Sequence, residues 1–150
     1  MADPMTDIAD DIEIRPARLS DSDALFGLLI QFAVSYRPDR AAFDRHLPLL
    51  LTSDTAMLRV AVRDGGVIGY LLGFHLLTLY ANGPVLEIQE LMVDPAHRGQ
   101  GVGRRLLTST IEAAWAQGCV EVTVPTRRAG PYYEKLGFVE TASYFKLKRG

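Results

Sequence analysis

Three glycines at alternate positions, Gly99, Gly101 and Gly103, mark the segment whose chemistry is easiest to define. An apolar run from Val85 to Val93 precedes them and a helix-like run from Arg104 to Gln117 follows. A strand therefore leads into a glycine loop, and the loop leads into a helix N-terminus. The N–H groups of a helix's first turn have no partner inside the helix, so they bind phosphate. Glycine lets the backbone approach an anion because it has no Cβ. The segment therefore predicts a pyrophosphate-binding loop.

Two common phosphate loops fit this segment poorly. A Walker loop needs Lys and then Ser or Thr after its last glycine, whereas Arg104 and Arg105 follow Gly103. A Rossmann fingerprint needs G-x-G-x-x-G near the start of a domain and an acidic residue about 20 positions later. Here the order is G-x-G-x-G, and it lies two-thirds along the chain. Taken alone, the segment is also compatible with a helix-entry loop whose glycines are incidental.

Two separate motifs resemble those of one enzyme family. The run from Arg98 to Gly103 resembles the R/Q-x-x-G-x-G/A element of the GNAT family of N-acetyltransferases. The run from Ala129 to Phe138, AGPYYEKLGF, resembles that family's A-x-x-F-Y-E-K-L-G-F element. The start of the chain, Ile12 to Ala17 and then Ser20 to Asp23, resembles its first strand and helix entry. The resemblance runs from about residue 11 to the end. It implies acetyl-coenzyme A (acetyl-CoA) as co-substrate and direct attack of an acceptor amine on the thioester.

The resemblance also implies which residues bind acetyl-CoA. The pyrophosphate would lie on the loop backbone with Arg98 at its entrance, and Arg104 and Arg105 could add positive charge. The pantetheine arm would run along the fourth strand like an added strand. Thr126 stands where members of the family often carry asparagine, and it can still form a hydrogen bond. The expected cofactor-binding residues are Leu91, Met92, Val93, Arg98, Gly99, Gln100, Gly101, Val102, Gly103, Arg104, Thr126 and Tyr133.

Catalysis requires an acid for the leaving thiolate and a base for the acceptor amine. Tyr133 occupies the tyrosine position of the family's F-Y-E-K element and is the candidate acid, whereas Tyr132 is expected to pack the short helix on the sheet. Glu87 and Glu90 are the candidate bases, with a solvated strand residue as the alternative for each. Strict alternation along a strand places these two glutamates on opposite faces, unless a bulge turns one of them round. A backbone N–H near Met92 would polarise the carbonyl without needing any particular side chain.

The hydrophobic periodicity predicts the element order β-α-α-β-β-β-α-β-α-β-β. This is an α+β fold of the three-layer α/β/α type: a mixed, mostly antiparallel sheet of about seven strands, with helices on both faces, as in the acyl-CoA N-acyltransferase fold. A capping box at Ser20–Asp23 would open the first helix, and Pro48 would break the second. Phe138–Glu140 and Tyr144–Leu147 would form a final hairpin. Residues 1–10 are expected to be a disordered leader, and 11–150 a single domain.

Composition excludes several other classes of protein. A net charge of −2 gives no electrostatic reason to expect nucleic-acid binding, and no apolar run has the length of a membrane span. The histidines are scattered, and the single cysteine, Cys119, lies in an apolar setting that favours a buried strand thiol. We therefore expect a cytoplasmic protein without a metal.

The acceptor is a small-molecule or peptide amine whose identity the sequence does not give. The family forms its acceptor pocket from the connection between the first two helices, the turn before the fourth strand and the final hairpin. Tyr36, Tyr80 and Tyr144 lie in these segments. A homodimer is compatible with the family. Two rival hypotheses stay open: an enzyme of another class that binds a different nucleotide, and a non-catalytic acyl-CoA sensor or interaction module.

Overall fold

The computed structural model describes residues 11–33 and 36–150 of the chain. Its strands are β1 (Glu13–Pro16), β2 (Ala56–Arg63), β3 (Gly66–Leu77), β4 (Pro84–Val93) and β5 (Glu121–Thr123). Its helices are α1 (Ser22–Phe32), α2 (Arg40–Thr52), α3 (Val102–Ala116) and α4 (Gly130–Lys135), and short 3-10 turns cover Leu19–Asp21 and Pro95–His97. The predicted leader, residues 1–10, lies outside the described residues.

The five strands form one sheet in chain order. Neighbouring strands from β1 to β4 are antiparallel, whereas β4 and β5 are parallel. Asp64 and Gly65 turn β2 into β3 with φ of 51° and 78°, the left-handed values that a tight hairpin requires. A parallel pair needs a long crossover, and α3 provides it between β4 and β5. The predicted mixed, mostly antiparallel sheet is confirmed.

Helices cover both faces of the sheet, as predicted. The alternation of side chains in the middle of β3 separates the two cores, with Tyr70 facing α1 and α2, and Leu71 facing α3 and α4. The first core contains Leu25, Leu28, Leu47, Val60, Val62, Tyr70 and Met92. The second contains Ile12, Ala61, Ile68, Leu71, Ile88, Val102, Leu106, Leu107 and Tyr133. Cys119 is buried, as predicted, and burial raises the pKa of its thiol.

Among the described residues the sheet has five strands rather than about seven, and the predicted final hairpin is wrong. Residues 138–150 form no strand, and β5 ends at Thr123. Val139, Phe145 and Leu147 are 80%, 90% and 99% exposed, so the alternating pattern of this segment buries no apolar face. Alternation specifies a strand through burial of one face, and that burial does not occur here.

Two local predictions also need correction. Pro48 does not break the second helix: α2 continues to Thr52, whose Oγ1 donates to the Pro48 carbonyl at 2.9 Å. The buried Leu47 holds the helix on the sheet, and this tertiary packing outweighs the backbone bond that proline removes. The capping box at Ser20–Asp23 does not form. The Asp21 carboxylate instead accepts hydrogen bonds from the Arg15 guanidinium and from the Arg18 backbone N–H.

Candidate active site

A bulge interrupts β4 at the point where its pairing with β5 ends. Leu72 of β3 pairs with Glu90 but the next residue, Gly73, pairs with Ile88, so Gln89 is an extra residue without a partner in β3. The parallel pairing with β5 covers only residues 85–87 of β4. Residues 88–93 therefore have a backbone edge that no strand of the described chain covers. This open edge, which we call the β4 edge, is where an extended ligand can add like a strand.

The bulge places Glu87 and Glu90 on the same face of the sheet. Glu87 pairs with Phe74 and Glu90 with Leu72, and these two residues of β3 share the face that carries α1 and α2. The sequence predicted opposite faces for the two glutamates unless a bulge turned one of them round. The structure contains this bulge. The glutamates differ in their partners, because Glu90 accepts a hydrogen bond from buried Tyr70 at 2.7 Å, whereas Glu87 accepts one from the exposed Gln89 amide at 2.7 Å.

The glycine loop lies between β4 and α3, as predicted. Gly99 and Gly101 have φ of 76° and 83°, left-handed values that favour glycine, and Gly101 is the N-cap of α3. The first N–H bonded within α3 is that of Arg105, which donates to the Gly101 carbonyl at 3.0 Å. The N–H groups of Val102 and Gly103 therefore lie in the turn that has no intrahelical acceptor. This is the arrangement that binds an anion.

Side chains fix the loop on the sheet. Asp94 Oδ1 accepts from the Ala96 N–H at 3.0 Å and caps the 3-10 turn at the start of the loop. Gln100 Oε1 accepts from Arg63 Nη1 at 2.6 Å, which ties the loop to the end of β2. Arg98 Nε donates to the Val93 carbonyl at 3.2 Å, so its guanidinium lies at the loop entrance as predicted. A loop fixed in this way has its N–H groups oriented before a ligand binds.

The two arginines at the start of α3 have different environments. Arg104 is exposed, and its positive charge acts on the neighbouring Tyr132 phenol. Arg105 is directed back to the start of the chain, where Nη2 donates to the Ile12 carbonyl at 3.1 Å. Arg104 is therefore a source of positive charge beside the loop, whereas Arg105 holds α3 to the N-terminal segment.

Tyr133 and Tyr132 lie on α4, and Tyr133 belongs to the same core as Ile88 of β4. Tyr133 is 7% exposed and its ring packs edge-on against Tyr132 and Phe138, at 5.2 and 5.5 Å between centroids. Burial, with a smaller contribution from Tyr132, raises the pKa of Tyr133 to about 12. Its hydroxyl has no hydrogen-bond partner among residues 11–33 and 36–150, so it can donate to a ligand. Gly137 ends α4 with φ of 95°, as its sequence position predicts.

Tyr132 approaches the loop more closely than its sequence position suggested. Its hydroxyl is 3.5 Å from the place where a Cβ on Gly103 would lie, so the phenol lies against the first turn of α3. Burial raises the pKa of this phenol and the Arg104 charge partly offsets that rise. The sequence predicts only a packing role for Tyr132, because no spacing pattern relates α4 to the N-terminus of α3.

Thr126 is exposed and already has a local hydrogen bond. Its Oγ1 accepts from the Ala129 N–H at 3.1 Å, which stabilises the turn into α4. The hydroxyl proton remains able to donate. Its predicted role in cofactor binding would therefore depend on this one hydroxyl proton. The same side chain also stabilises the start of α4.

Two of the three segments expected to line the acceptor pocket meet in the structure. Lys146 and Lys148 place their ammonium groups 5.4 and 4.4 Å from the centroid of the Tyr36 ring, in the connection between α1 and α2. Such contacts are cation–π interactions. Tyr80 and Tyr144 are 75% and 69% exposed, and neither has a ring partner among the described residues.

Comparison with known proteins decides the family. The model of the acetyltransferase (GNAT) family matches residues 23–138, most of the chain. The chain belongs to the GNAT family. The expected enzyme class, an acetyl-CoA-dependent N-acetyltransferase, is thereby confirmed.

Relatives in this family act on amines. An aminoalkylphosphonate N-acetyltransferase of Salmonella typhimurium is 30% identical over 144 residues, which are 91% of this chain and 90% of that protein. Glucosamine 6-phosphate N-acetyltransferase 1 of Oryza sativa subsp. japonica is 31% identical over 134 residues, 85% of this chain and 81% of that protein. The relatives match this GNAT chain over nearly its whole length.

Solved structures confirm the fold. A transcriptional regulator from Bacillus halodurans C-125 superposes with a TM-score of 0.85 at 23% identity, covering 92% of this chain and 99% of that one. The GNAT chain thus has the α+β acetyltransferase fold that its sequence predicted. In the part of the chain that the structure describes, no helix has the length and apolarity needed to cross a membrane, and no three His, Cys, Asp or Glu side chains are grouped to hold a metal ion.

Proposed function

We propose that this GNAT protein transfers the acetyl group of acetyl-CoA to a primary amine while both substrates are bound. The observation that carries the proposal is the open β4 edge beside the glycine loop. A loop that binds phosphate would serve any nucleotide, whereas a strand edge opened by a bulge suits an extended, amide-containing arm such as pantetheine. The remaining residues of the site each supply one part of the chemistry.

Acetyl-CoA would bind along two surfaces. Its pyrophosphate would accept hydrogen bonds from the backbone N–H groups of the loop and of the first turn of α3, with Arg98 and Arg104 as sources of positive charge. Its pantetheine amides would pair with the β4 edge at Leu91, Met92 and Val93. The thioester would then lie near the bulge. A backbone N–H near Met92 would donate to the oxyanion that forms on the carbonyl.

The transfer uses one base and one acid. A glutamate on the α1 and α2 face, Glu90 or Glu87, takes a proton from the acceptor ammonium, directly or through water. The neutral nitrogen attacks the thioester carbonyl carbon and forms the new C–N bond. The C–S bond then breaks, and the Tyr133 hydroxyl gives its proton to the departing sulfur. The nitrogen loses its extra proton as it becomes the amide, and that proton returns to Tyr133 directly or through water. Tyr133 suits this role because its raised pKa keeps the phenol protonated at neutral pH.

The acceptor we favour is a small amine that also carries an anionic group. Two relatives are named for such substrates, an aminoalkylphosphonate and glucosamine 6-phosphate. Lys146 and Lys148 supply positive charge beside Tyr36, in the connection between α1 and α2. These two helices cover the face of the sheet that carries the two glutamates. An acceptor held there by its phosphate or phosphonate would direct its amine toward the bulge. The cytoplasmic location and the homodimer stay predictions.

The test is an acetyl-transfer assay with a panel of amines. The purified chain is incubated with acetyl-CoA and with aminoethylphosphonate, glucosamine 6-phosphate, an uncharged aminoalcohol or a short peptide. Release of the coenzyme A thiol and the mass of the acetylated product are then measured. We expect turnover that is faster with the phosphorus-containing amines than with the aminoalcohol. Saturable acetyl-CoA binding without acetylation of any amine would favour the acyl-CoA sensor instead.

A further inference from the structure

Tyr70 connects the apolar core to the active site through one hydrogen bond. It lies in the middle of β3 opposite Met92, and it is 4% exposed among the residues packed beneath α1 and α2. Its hydroxyl donates to Glu90 Oε1 at 2.7 Å. Since Glu90 pairs with Leu72, this is a diagonal contact between neighbouring strands on one face. A phenylalanine would fill the same apolar space, so the hydroxyl has a specific use.

The use of this hydroxyl follows from the bulge. A bulged strand has one residue without a ladder partner, and the bulge changes the direction of the side chains beside it. Glu90 is the first residue after the extra Gln89. Residues 11–33 and 36–150 donate no other hydrogen bond to its carboxylate. The Tyr70 bond therefore fixes one oxygen, Oε1, and leaves Oε2 for an acceptor amine or its water.

Tyr70 remains a donor over the whole working range of the enzyme. Burial, reinforced by the negative charge of Glu90, raises the pKa of Tyr70 far above its ordinary value. The phenol therefore stays protonated at neutral and mildly alkaline pH. Glu87 has no comparable support, because its partner is the amide of Gln89, an exposed side chain two residues away on the same strand.

Resting on the function proposed above, we infer that Tyr70 is a positioning residue that holds Glu90, rather than Glu87, in the orientation of the base. Tyr70 itself touches neither substrate. It acts through the carboxylate, whose misplacement by a fraction of an ångström lowers the rate of proton transfer.

The test is a double-mutant cycle of Tyr70→Phe and Glu90→Gln, measured with a saturating amine. We expect Tyr70→Phe to lower kcat about 10- to 100-fold in the wild-type background, with little change in the KM for acetyl-CoA. In the Glu90→Gln background the same substitution should have almost no further effect, because the carboxylate that it orients is gone. Equal losses in the two backgrounds would overturn the inference, since they would mean that Tyr70 acts on stability or packing alone.

Thr110→Val is the matched control. Thr110 is fully buried on α3, on the other face of the sheet, and its hydroxyl donates within its own helix, to the Leu106 carbonyl at 2.8 Å. Removing this buried hydroxyl should leave kcat and its dependence on Glu90 unchanged. A fall in kcat equal to that of Tyr70→Phe would also overturn the inference. Failure of the proposed function itself is separate, because it appears as absence of turnover in the wild-type protein.

Discussion

Glu87 and Glu90 lie on the same face of the sheet although regular alternation along β4 would separate them. The extra residue Gln89 lies between them and shifts the alternation of side chains along β4 by one position. Both carboxylates consequently face α1 and α2, whereas Tyr133 lies in the core beneath α3 and α4. The proposed base and the proposed acid would therefore reach the β4 edge from opposite faces, which suits a reaction in which the amine enters on one side and the thiolate leaves on the other.

Glu90→Gln should reduce turnover more than Glu87→Gln. Glutamine keeps the size and the contact with Tyr70 but cannot take a proton from the amine. We expect a loss of about 10²-fold or more in kcat for Glu90→Gln, and a smaller loss for Glu87→Gln. Steady-state kinetics on both variants, with acetyl-CoA binding measured by calorimetry, decides between them. A larger loss in Glu87→Gln would move the base to that residue.

Tyr133→Phe should separate chemistry from binding. Phenylalanine preserves the ring contacts with Tyr132 and Phe138 but removes the proton donor. We expect turnover to fall about 10²- to 10⁴-fold while the Kd for acetyl-CoA barely changes.

The wild-type pH profile adds a second check on Tyr133. A group stays protonated below its pKa, and that of Tyr133 is raised to about 12, so loss of its proton should produce no fall in kcat at mildly alkaline pH. Turnover of the phenylalanine variant at the wild-type rate would remove Tyr133 from the mechanism.

Gly101→Ala should weaken acetyl-CoA binding through the backbone. Gly101 has φ of 83° at the N-cap of α3, where an alanine costs about 1–2 kcal/mol or shifts the loop. Gly118, just after α3, has φ of 86° and lies far along the chain from the loop, so Gly118→Ala is a control with the same backbone strain. Both variants should lose thermal stability, but only Gly101→Ala should raise the Kd for acetyl-CoA. An equal effect of both on binding would show that the loop has no special role.

Asp21→Asn should remove a pH-dependent part of the stability. The hydrogen bonds from Arg15, helped by the Arg18 N–H, lower the pKa of Asp21 in the folded protein despite burial. A lowered folded pKa means that the stabilisation is present above the unfolded value, about 3.9, and is lost as the pH falls through the folded value.

At neutral pH we therefore expect Asp21→Asn to cost about 2–4 kcal/mol, because Arg15 loses the charge of a largely buried partner. Urea unfolding at neutral pH and at about pH 2–3 measures both effects, since the difference between the proteins should shrink in acid. A difference that stays constant with pH would show that the carboxylate charge is not responsible.

Much of this site could be predicted from the sequence because it depends on local backbone chemistry. The glycines at 99 and 101, the helix after them and the strand before them follow from residue type and periodicity, and the structure has them in place. Gly137 at the end of α4 is a further example. These features need no knowledge of distant residues, so a single chain is enough to find them.

Features that depend on contacts between distant residues could not be predicted. The bulge at Gln89 is a property of two strands in register, and the bond from Tyr70 to Glu90 exists only after that register is set. Pro48 does not end the second helix as its residue type predicts, because the packing of Leu47 that holds the helix in place is invisible in the sequence. The alternation of apolar and polar residues after Gly137 predicted strands that do not form. The sequence does not show whether one face of such a segment is buried.

We propose that the glycine loop and the β4 edge together form an acetyl-CoA site. The most direct measurement is calorimetric titration of the purified chain with acetyl-CoA, with ADP and NAD as comparison ligands. The loop alone would serve all three ligands, whereas the β4 edge adds hydrogen bonds only for pantetheine. We therefore predict saturable binding of acetyl-CoA that is at least about 10-fold tighter than that of ADP or NAD, since one or two additional hydrogen bonds at about 1 kcal/mol each account for that ratio. Binding of ADP or NAD as tight as that of acetyl-CoA would contradict the claim.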